Sequence, residues 1–135
     1  MKNVSAFALC FLAMVLTGCS QATSAGSGNS TGGTATLVTN LSITAGSPSS
    51  GTVTGSQWAV VNQNATLQLS VTVLPANATN QTVTWTSSSP STVSVGTSGL
   101  VTTVGYSGSG GYVITATAND GSGKSATFTV NFTGG

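Results

Sequence analysis

The sequence predicts an all-β domain, and three observations support this fold class. Thr and Val, which favour the pleated and half-buried surface of a strand, supply 24 and 15 of the 135 residues. From Leu37 onward, short alternations of apolar and polar residues are separated by Gly, Pro, Asn and Ser, a spacing typical of a β-sandwich. No part of this region has the apolar period of an amphipathic helix. We therefore expect one β-sandwich domain.

The first 18 residues have the organisation of a secretory signal peptide. Lys2 supplies a short positive region, and residues 4–16 are apolar except for one Ser. This stretch is shorter than the roughly 20 apolar residues that span a membrane. It ends in Leu16-Thr17-Gly18-Cys19, which resembles the lipobox of bacterial lipoproteins, where the signal is cut before a cysteine that then carries lipid. The resemblance implies lipidation at Cys19.

This reading predicts an exported protein that is attached to a membrane through its N-terminal lipid. Acyl chains contribute about 0.8 kcal/mol per buried CH₂, so several chains hold a protein on a membrane. Ser20 resembles the residues that follow the cysteine in lipoproteins sorted to the outer membrane, which favours the outer membrane or the cell surface. The alternative is an ordinary signal peptide cleaved near Ala22 or Ala25, which would remove Cys19.

A flexible linker is predicted to follow the lipidated cysteine and to complete the segment 19–36. Residues 20–36 contain no apolar side chain larger than Ala and show no periodicity. A coil of this composition reaches roughly 20 to 25 Å. The folded domain is therefore expected to occupy residues 37–135, with the linker separating it from the membrane surface.

The first strands are predicted from short apolar alternations. Leu41 and Ile43, and then residues 58–61, are candidates for the edge strand that opens the sandwich, although the path of residues 44–62 is left open. Residues 67–73 alternate cleanly, with Leu and Val on one face and Gln, Ser and Thr on the other. This alternation predicts a half-buried strand.

The later strands follow at short intervals. Residues 75–80 contain Pro75 and two Asn, which end a strand and favour a turn. Residues 82–86 then place Val83 and Trp85 on one face. Further strands are predicted at residues 92–95, 100–104, 112–118 and 126–132. The last two strands are expected to point these side chains inward: Tyr112, Ile114, Ala116, Ala118, Ala126, Phe128, Val130 and Phe132.

Four short motifs identify a family resemblance that covers about residues 41–132. They are Pro75-Ala76-Asn77-Ala78-Thr79, Trp85 followed by Ser88-Ser89-Pro90, Ser98-Gly99-Leu100-Val101, and Ile114-Thr115-Ala116-Thr117-Ala118. Together they resemble the bacterial immunoglobulin-like domain group 2 (BIG2) of intimins, invasins and other bacterial surface proteins. The resemblance implies an Ig-like Greek-key β-sandwich of about seven strands, with Trp85 in the core on the third strand. It also implies a spacer or binding role without catalytic residues.

The sequence departs from the family pattern at two places. The family usually has a Gly-Glu pair before its second strand, where this chain has Asn64-Ala65. The segment of residues 47–57 is longer and richer in Gly, Ser and Thr than usual. Both departures lie near the first edge of the sandwich, which is therefore the least defined part of the predicted fold.

Formal charge is almost absent from the chain, and this excludes several functions. Only Lys2, Asp120 and Lys124 are charged, and there is no His, Glu or Arg. Acid–base and nucleophilic catalysis draw mainly on such residues, and a metal site needs several of them close together. Nucleic-acid binding depends on Lys and Arg. We therefore expect no enzyme activity, no cofactor, no metal site and no nucleic-acid partner.

Outward-facing threonines form the main candidate binding face. If Trp85, Ile114 and Phe128 point inward, neighbouring residues on the same three strands point outward. These are Thr82, Thr84, Thr86, Thr115, Thr117, Thr127 and Thr129. Such a flat and uncharged array suits an ordered polar surface such as polysaccharide or ice. The alternative is a plain solvent face, since Thr has a high β-propensity.

Two aromatic residues and one turn complete the candidates. Trp58 and Tyr106 lie in loosely patterned segments and are candidate exposed contact aromatics. Asp120 and Lys124 flank Gly121-Ser122-Gly123 in the last predicted hairpin, where a solvated turn is the expectation.

These features favour a non-enzymatic, lipid-anchored, Ig-like module of the cell surface that mediates adhesion or binds a glycan or a surface protein. The alternative is a structural subunit of a self-assembling extracellular fibre or surface coat. A net charge near zero removes the repulsion that keeps proteins apart, and sheet edges without Lys are open to pairing. This alternative therefore predicts a homo-oligomer formed by strand-edge pairing.

Overall fold

The computed structural model describes residues 33–105 and 109–133, which form nine β-strands in two sheets. The strands are β1 (Asn40–Ala45), β2 (Thr52–Thr54), β3 (Gln57–Val60), β4 (Thr66–Leu74), β5 (Val83–Ser87), β6 (Val93–Val95), β7 (Leu100–Thr103), β8 (Gly110–Ala118) and β9 (Ser125–Phe132). The described residues contain no helix, so the prediction of an all-β fold is confirmed.

The two sheets have the strand orders β1-β4-β7-β6 and β2-β3-β9-β8-β5. All neighbouring strands are antiparallel except β3 and β9, which are parallel. The Ig-like β-sandwich is confirmed. Nine strands replace the expected seven because the opening edge strand is divided between the sheets as β1 and β3, and because β2 is added outside β3.

One expectation about the first edge is wrong. The segment of residues 58–61 was expected as an edge strand, but β3 lies between β2 and β9. Val53 of β2 pairs with Trp58, which in turn pairs with Val130 of β9. The long segment of residues 47–57 supplies β2 and thereby moves the sheet edge one strand outward.

Strict alternation along the strands builds the core between the sheets. On β4, Leu67 and Leu69 are buried, whereas Gln68, Ser70 and Thr72 are exposed, as predicted. The predicted inward residues of β8 and β9 are likewise buried or half-buried. The main core contains Trp58, Val60, Ala65, Leu67, Leu69, Val93, Val101, Ile114, Phe128, Val130 and Phe132. Full burial of one large apolar side chain contributes about 1.5–3 kcal/mol.

The departure from the family pattern at Asn64 and Ala65 has a local structural explanation. Asn64 has a φ of 60°, a left-handed conformation that Gly adopts freely and that Asn tolerates better than most residues. The N–H of Ala65 donates to the Oγ1 of Thr103 at 2.9 Å, and that hydroxyl donates to the carbonyl of Asn62 at 2.9 Å. Thr103, which is fully buried, thus satisfies the polar groups of the loop that enters β4.

A second, smaller apolar cluster lies near the start of the folded unit, which begins at Ala35. It contains Val38, Leu41, Ala78 and Ala118. The turn after β4 supplies Ala78, and the N–H of Thr79 in this turn donates to the carbonyl of Thr36 at 2.9 Å. The segment that precedes β1 is therefore attached to the domain by both packing and hydrogen bonds.

Candidate binding surface

The outer face of the β5-β8-β9 sheet carries most of the predicted threonines in aligned cross-strand rows. Thr86 of β5 pairs with Thr115 of β8, which pairs with Thr127 of β9. In the next row, Thr84 pairs with Thr117. Neighbouring strands are about 4.8 Å apart, and residues two apart on one strand are separated by about 6.7 Å. The hydroxyl and methyl groups therefore form a regular two-dimensional array.

The exposure of these threonines varies with their place in the sheet. Thr84 and Thr86 on the edge strand β5 are exposed, as is Thr127. Thr115, Thr117 and Thr129 are half-buried, because the central strands have neighbours on both sides. All of them lie on the outer face, opposite the core side chains of the same strands.

Hydrogen bonds hold the hydroxyls at the hairpin end of this face. Thr84 donates through Oγ1 to the Oδ1 of Asn119 at 2.8 Å, and the Nδ2 of Asn119 donates to the Oγ1 of Thr82 at 3.2 Å. Thr82 donates in turn to the Oδ1 of Asn80 at 2.8 Å. Thr82 precedes β5 and belongs to this network. The threonine hydroxyls further along the face, beginning at Thr86, make no hydrogen bond to another described residue.

Several further residues share the face and were not predicted from the sequence. Gln57 and Val113 lie on either side of Thr129, and Ser125 pairs with Thr117. The Nδ2 of Asn131 donates to the Oε1 of Gln57 at 3.1 Å. Gln57 reaches the face through the parallel pairing of β3 with β9, a contact between segments more than 70 residues apart in the sequence. No local pattern contains that pairing.

The two charged side chains of the described region lie in the β8–β9 turn, as predicted, but the turn is more than a solvated loop. The carboxylate of Asp120 accepts hydrogen bonds from the backbone N–H of Val38 and, at 2.9 Å, from that of Ser122. Hydrogen bonding from Ser122, and then from Val38, lowers the pKa of Asp120 below its ordinary value. Asp120 therefore joins the segment before β1 to the last hairpin. Lys124 is exposed.

The prediction of Trp58 as an exposed aromatic is wrong. Its side chain has 0% exposure, because it packs in the main core and because β2 continues the sheet beyond β3. Its Nε1 donates to the carbonyl of Ser50 at 2.8 Å, which satisfies the one polar group of the buried indole. Tyr106, the second predicted aromatic, lies outside the described residues, as do Cys19 and the predicted signal peptide of residues 1–18.

Trp85 packs against the main core as predicted but is only half-buried. It lies on β5, which pairs with β8 on one side and with no other strand of the described region on the other. The indole borders an open groove between β5 and β6.

The described residues contain no cluster of metal-binding side chains. They contain no group of three or more His, Cys, Asp or Glu side chains close enough to hold an ion. They also contain no helix of the length and apolar character needed to cross a membrane.

The sandwich, with its first strand divided between two sheets, defines an Ig-like domain. The family model for the bacterial Ig-like domain (group 2) matches residues 52–130. This match covers more than half of the chain, and the chain belongs to that family. The matched segment begins at β2 and ends within β9, so β1 lies outside it.

Individual relatives resemble the chain over part of their length. The tail tube protein pb6 of Escherichia phage T5 is 37% identical over 75 residues, which are 56% of this chain and 16% of that protein. The crystal structure of an EHEC O157:H7 intimin mutant is 24% identical, with a TM-score of 0.47, over 70% of this chain and 47% of that one. An intimin–Tir90 complex gives 24% identity and a TM-score of 0.48, over 72% and 49%. The chain spans about half of each intimin structure and a small part of the phage protein.

Proposed function

We propose that the protein is a non-enzymatic, lipid-anchored module of the cell surface that binds an uncharged, hydroxyl-rich partner, foremost a polysaccharide. One observation carries this proposal: the outer face of β5, β8 and β9 presents aligned threonines without a charged side chain among them. Charged groups normally crowd the solvent face of a soluble domain. A neutral array of hydroxyl and methyl groups matches the alternating polar and apolar groups of a neutral glycan.

Membrane attachment through Cys19 is the second part of the proposal. It is supported by the apolar segment of residues 4–16, which ends in Leu16-Thr17-Gly18 directly before the cysteine. Labelling of bacteria with a radioactive fatty acid should mark the wild-type protein and the Cys10→Ser control. Cys19→Ser should lose the label and accumulate as an unprocessed precursor. Equal labelling of Cys19→Ser would contradict lipidation at this residue.

The composition supports a role without catalysis. The chain has no His or Glu and a single Asp, and the carboxylate of Asp120 is engaged by the backbone of Val38 and Ser122. A general base or nucleophile needs a polarising partner within hydrogen-bond reach. The family membership agrees with a structural or adhesive role.

The binding face is tested by placing charge within it. We expect Thr84→Lys and Thr117→Lys to weaken binding at least tenfold, because a lysine projects above the flat array and brings a strongly hydrated charge. Thr72→Lys is the control matched to Thr84→Lys, since both threonines are exposed and Thr72 lies on the outer face of β4 in the other sheet. The full chain is purified in a detergent that has no sugar headgroup. Its binding is then measured with chitohexaose by calorimetry and with purified cell-wall glycan by co-sedimentation.

Two outcomes of this experiment contradict the proposal. One is the absence of binding by the wild-type chain to either probe. The other is equal binding by the Thr84→Lys, Thr117→Lys and Thr72→Lys proteins, which would mean that the threonine face takes no part. Far-ultraviolet circular dichroism of each variant ensures that lost binding does not reflect lost folding.

A structural subunit of a fibre or surface coat is the second candidate. It is favoured by the 37% identity over 75 residues to a phage tail tube protein and by edge strands without charged residues, such as β1. Thr44→Lys on β1 should abolish self-association, because lysine on an edge strand opposes pairing. Thr72→Lys on the neighbouring inner strand should not. If the wild-type chain sediments as a monomer at every concentration, this candidate is excluded.

A further inference from the structure

A groove of about 310 Å³ lies between the free edges of the two sheets. Its walls come from β5, from β6 and from the loop that joins them. β5 is the last strand of the five-stranded sheet, and β6 is the last strand of the four-stranded sheet. The lining residues are Trp85, Thr86, Ser87, Pro90, Ser94 and Val95. The volume is in the range of small-molecule sites.

Contacts with neighbouring residues hold the walls of the groove in place. Ser87 donates through Oγ to the carbonyl of Val93 at 2.6 Å and thereby connects the two sheet edges. The indole of Trp85 lies against Gly99, where an added Cβ would come within 3.1 Å of the ring carbon Cζ2. A side chain at position 99 would therefore require the ring to shift by a few tenths of an ångström. The aromatic wall is positioned before any ligand arrives.

The chemistry of the lining is half apolar and half hydroxyl. Trp85, Pro90 and Val95 are the apolar lining residues. Thr86, Ser87 and Ser94 are the lining residues with a hydroxyl, and that of Ser87 is already bonded to the carbonyl of Val93. The hydroxyl of Thr86 makes no hydrogen bond to another described residue. Ser94 donates to the carbonyl of Thr102 at a long 3.4 Å, a weak bond that a better partner can replace.

The groove contains no charged side chain, and the charges of the described region lie away from it. Asp120 and Lys124 are in the β8–β9 turn, which adjoins the start of β5 through the hydrogen bond of Asn119 N–H to the carbonyl of Thr82. The groove adjoins the other end of β5, from Trp85 to Ser87. A charged ligand would therefore lose its hydration without gaining an ion pair.

We propose that this groove is a subsite for one uncharged pyranose ring, with Trp85 as its aromatic wall. A pyranose has an apolar C–H face and a hydroxyl rim, so it matches an indole beside hydroxyl groups. Thr86 belongs both to the groove and to the threonine face. A glycan chain that lies across the face can therefore place one of its sugar rings in the groove. This inference rests on the proposed glycan binding and adds the position and the chemistry of one contact.

Tryptophan fluorescence reports directly on this subsite, because the chain has two Trp and Trp58 has 0% exposure. Chitohexaose should shift the emission of the full chain to shorter wavelength and reduce quenching by acrylamide at least twofold. Maltohexaose tests which neutral sugar fits, and heparin serves as the charged probe, for which no shift is expected. A Trp58→Phe protein assigns the signal to Trp85.

A variant at the groove rim tests the same contact without removing the reporter. Ser94→Lys should weaken chitohexaose binding at least fivefold and abolish the emission shift, since its long side chain occupies the groove. Thr72→Lys, which adds the same charge on β4 outside the residues that line the groove, should bind within twofold of the wild type. Trp85→Phe retains an aromatic wall and should keep a weaker affinity.

The outcomes separate this inference from the proposed function. If chitohexaose binding depends on Thr84 and Thr117 while the Trp85 emission and the Ser94→Lys affinity are unchanged, the subsite is wrong and the glycan-binding face stands. If no neutral sugar binds the wild-type chain, both are wrong. If the emission shifts with protein concentration alone, the groove is occupied by a second copy, and the assignment to a sugar is overturned.

Discussion

The two lateral sides of the sandwich each contain one tryptophan, and the two tryptophans differ in their exposure to solvent. On the closed side, formed by β1, β2 and β3 beside β9, Trp58 has 0% exposure. On the open side, formed by β5 and β6, Trp85 is half-buried and borders the groove. Both side chains follow the same inward alternation and contact the same core. Alternation therefore decides which face a side chain occupies, whereas the presence of a further strand decides whether solvent reaches it.

Both sides use glycine to bring backbone against an indole. Gly51 has a φ of 87° and would place a Cβ 3.0 Å from the Nε1 of Trp58, while Gly99 has a φ of 82° and would place one 3.1 Å from the Cζ2 of Trp85. Such φ values strain any residue with a Cβ. The closed side adds the hydrogen bond from Trp58 to Ser50 and the strand β2, whereas the described residues of the open side supply no such bond and no further strand.

The largest expected effect comes from truncating the two tryptophans. Trp58→Ala should lower the free energy of unfolding by about 3–5 kcal/mol, because it removes a fully buried ring from a packed core. Trp85→Ala should cost at least about 1 kcal/mol less, since solvent already reaches part of its surface. Urea unfolding followed by circular dichroism measures both. A loss at Trp85 equal to that at Trp58 would contradict the distinction between a closed and an open side.

The next effect concerns the glycine beneath Trp85. Gly99→Ala should destabilise the domain by about 3 kcal/mol, because a Cβ would meet the carbonyl of Leu69 at 2.5 Å in addition to the strain of a positive φ. Gly121→Ala is a matched control with the same φ of 82° and no atom within 4 Å of the added Cβ, so about 1–2 kcal/mol is expected there. Thermal unfolding compares them, and equal losses would refute the packing contribution.

The buried hydroxyl of Thr103, which holds the loop that enters β4, should have a smaller effect. Thr103→Val leaves the N–H of Ala65 and the carbonyl of Asn62 without their partner and should cost about 1–3 kcal/mol. Thr102→Val on the opposite face of β7 is the control and should change stability by less than about 0.5 kcal/mol. Chemical denaturation distinguishes them. If Thr103→Val left the free energy of unfolding unchanged, the loop that enters β4 would be held by packing alone.

The smallest expected effect is a dependence of stability on pH through Asp120. The pKa of Asp120 is lowered in the folded protein from its ordinary value of 3.8, so the unfolded chain binds this proton more readily. The stability that the ionised Asp120 carboxylate contributes is fully present at pH values above its ordinary pKa. It is lost as the pH falls through the pKa of the folded protein. The midpoint of thermal unfolding should therefore fall in acid for the wild type. Asp120→Asn should show a lower midpoint at neutral pH and a flatter profile, and parallel profiles would contradict this role.

Much of the fold was predictable because its determinants are local. The alternation on β4, β8 and β9 follows from side chains two residues apart, and the turn at Pro75 follows from a residue that cannot donate a hydrogen bond. The outward placement of Thr84, Thr86, Thr115 and Thr127 follows from the same period. The prediction of Trp58 as exposed was wrong because its burial depends on a non-local contact. The strand β2, which lies beside it, comes from a segment whose sequence looks like a loop.

The sequence by itself determined the all-β class, the family, the inner and outer faces of the strands and the absence of charge from the threonine face. Only the tertiary structure decided that β2 closes one side of the sandwich and that β5 and β6 leave the other side open. It also decided that Gln57 joins the threonine face and that Asp120 reaches Val38. The physical reason is a difference in range along the chain. The alternation of side chains repeats every two residues, whereas the neighbours of a strand and the solvent exposure of its side chains depend on contacts between distant segments. These contacts form only when the whole core is buried.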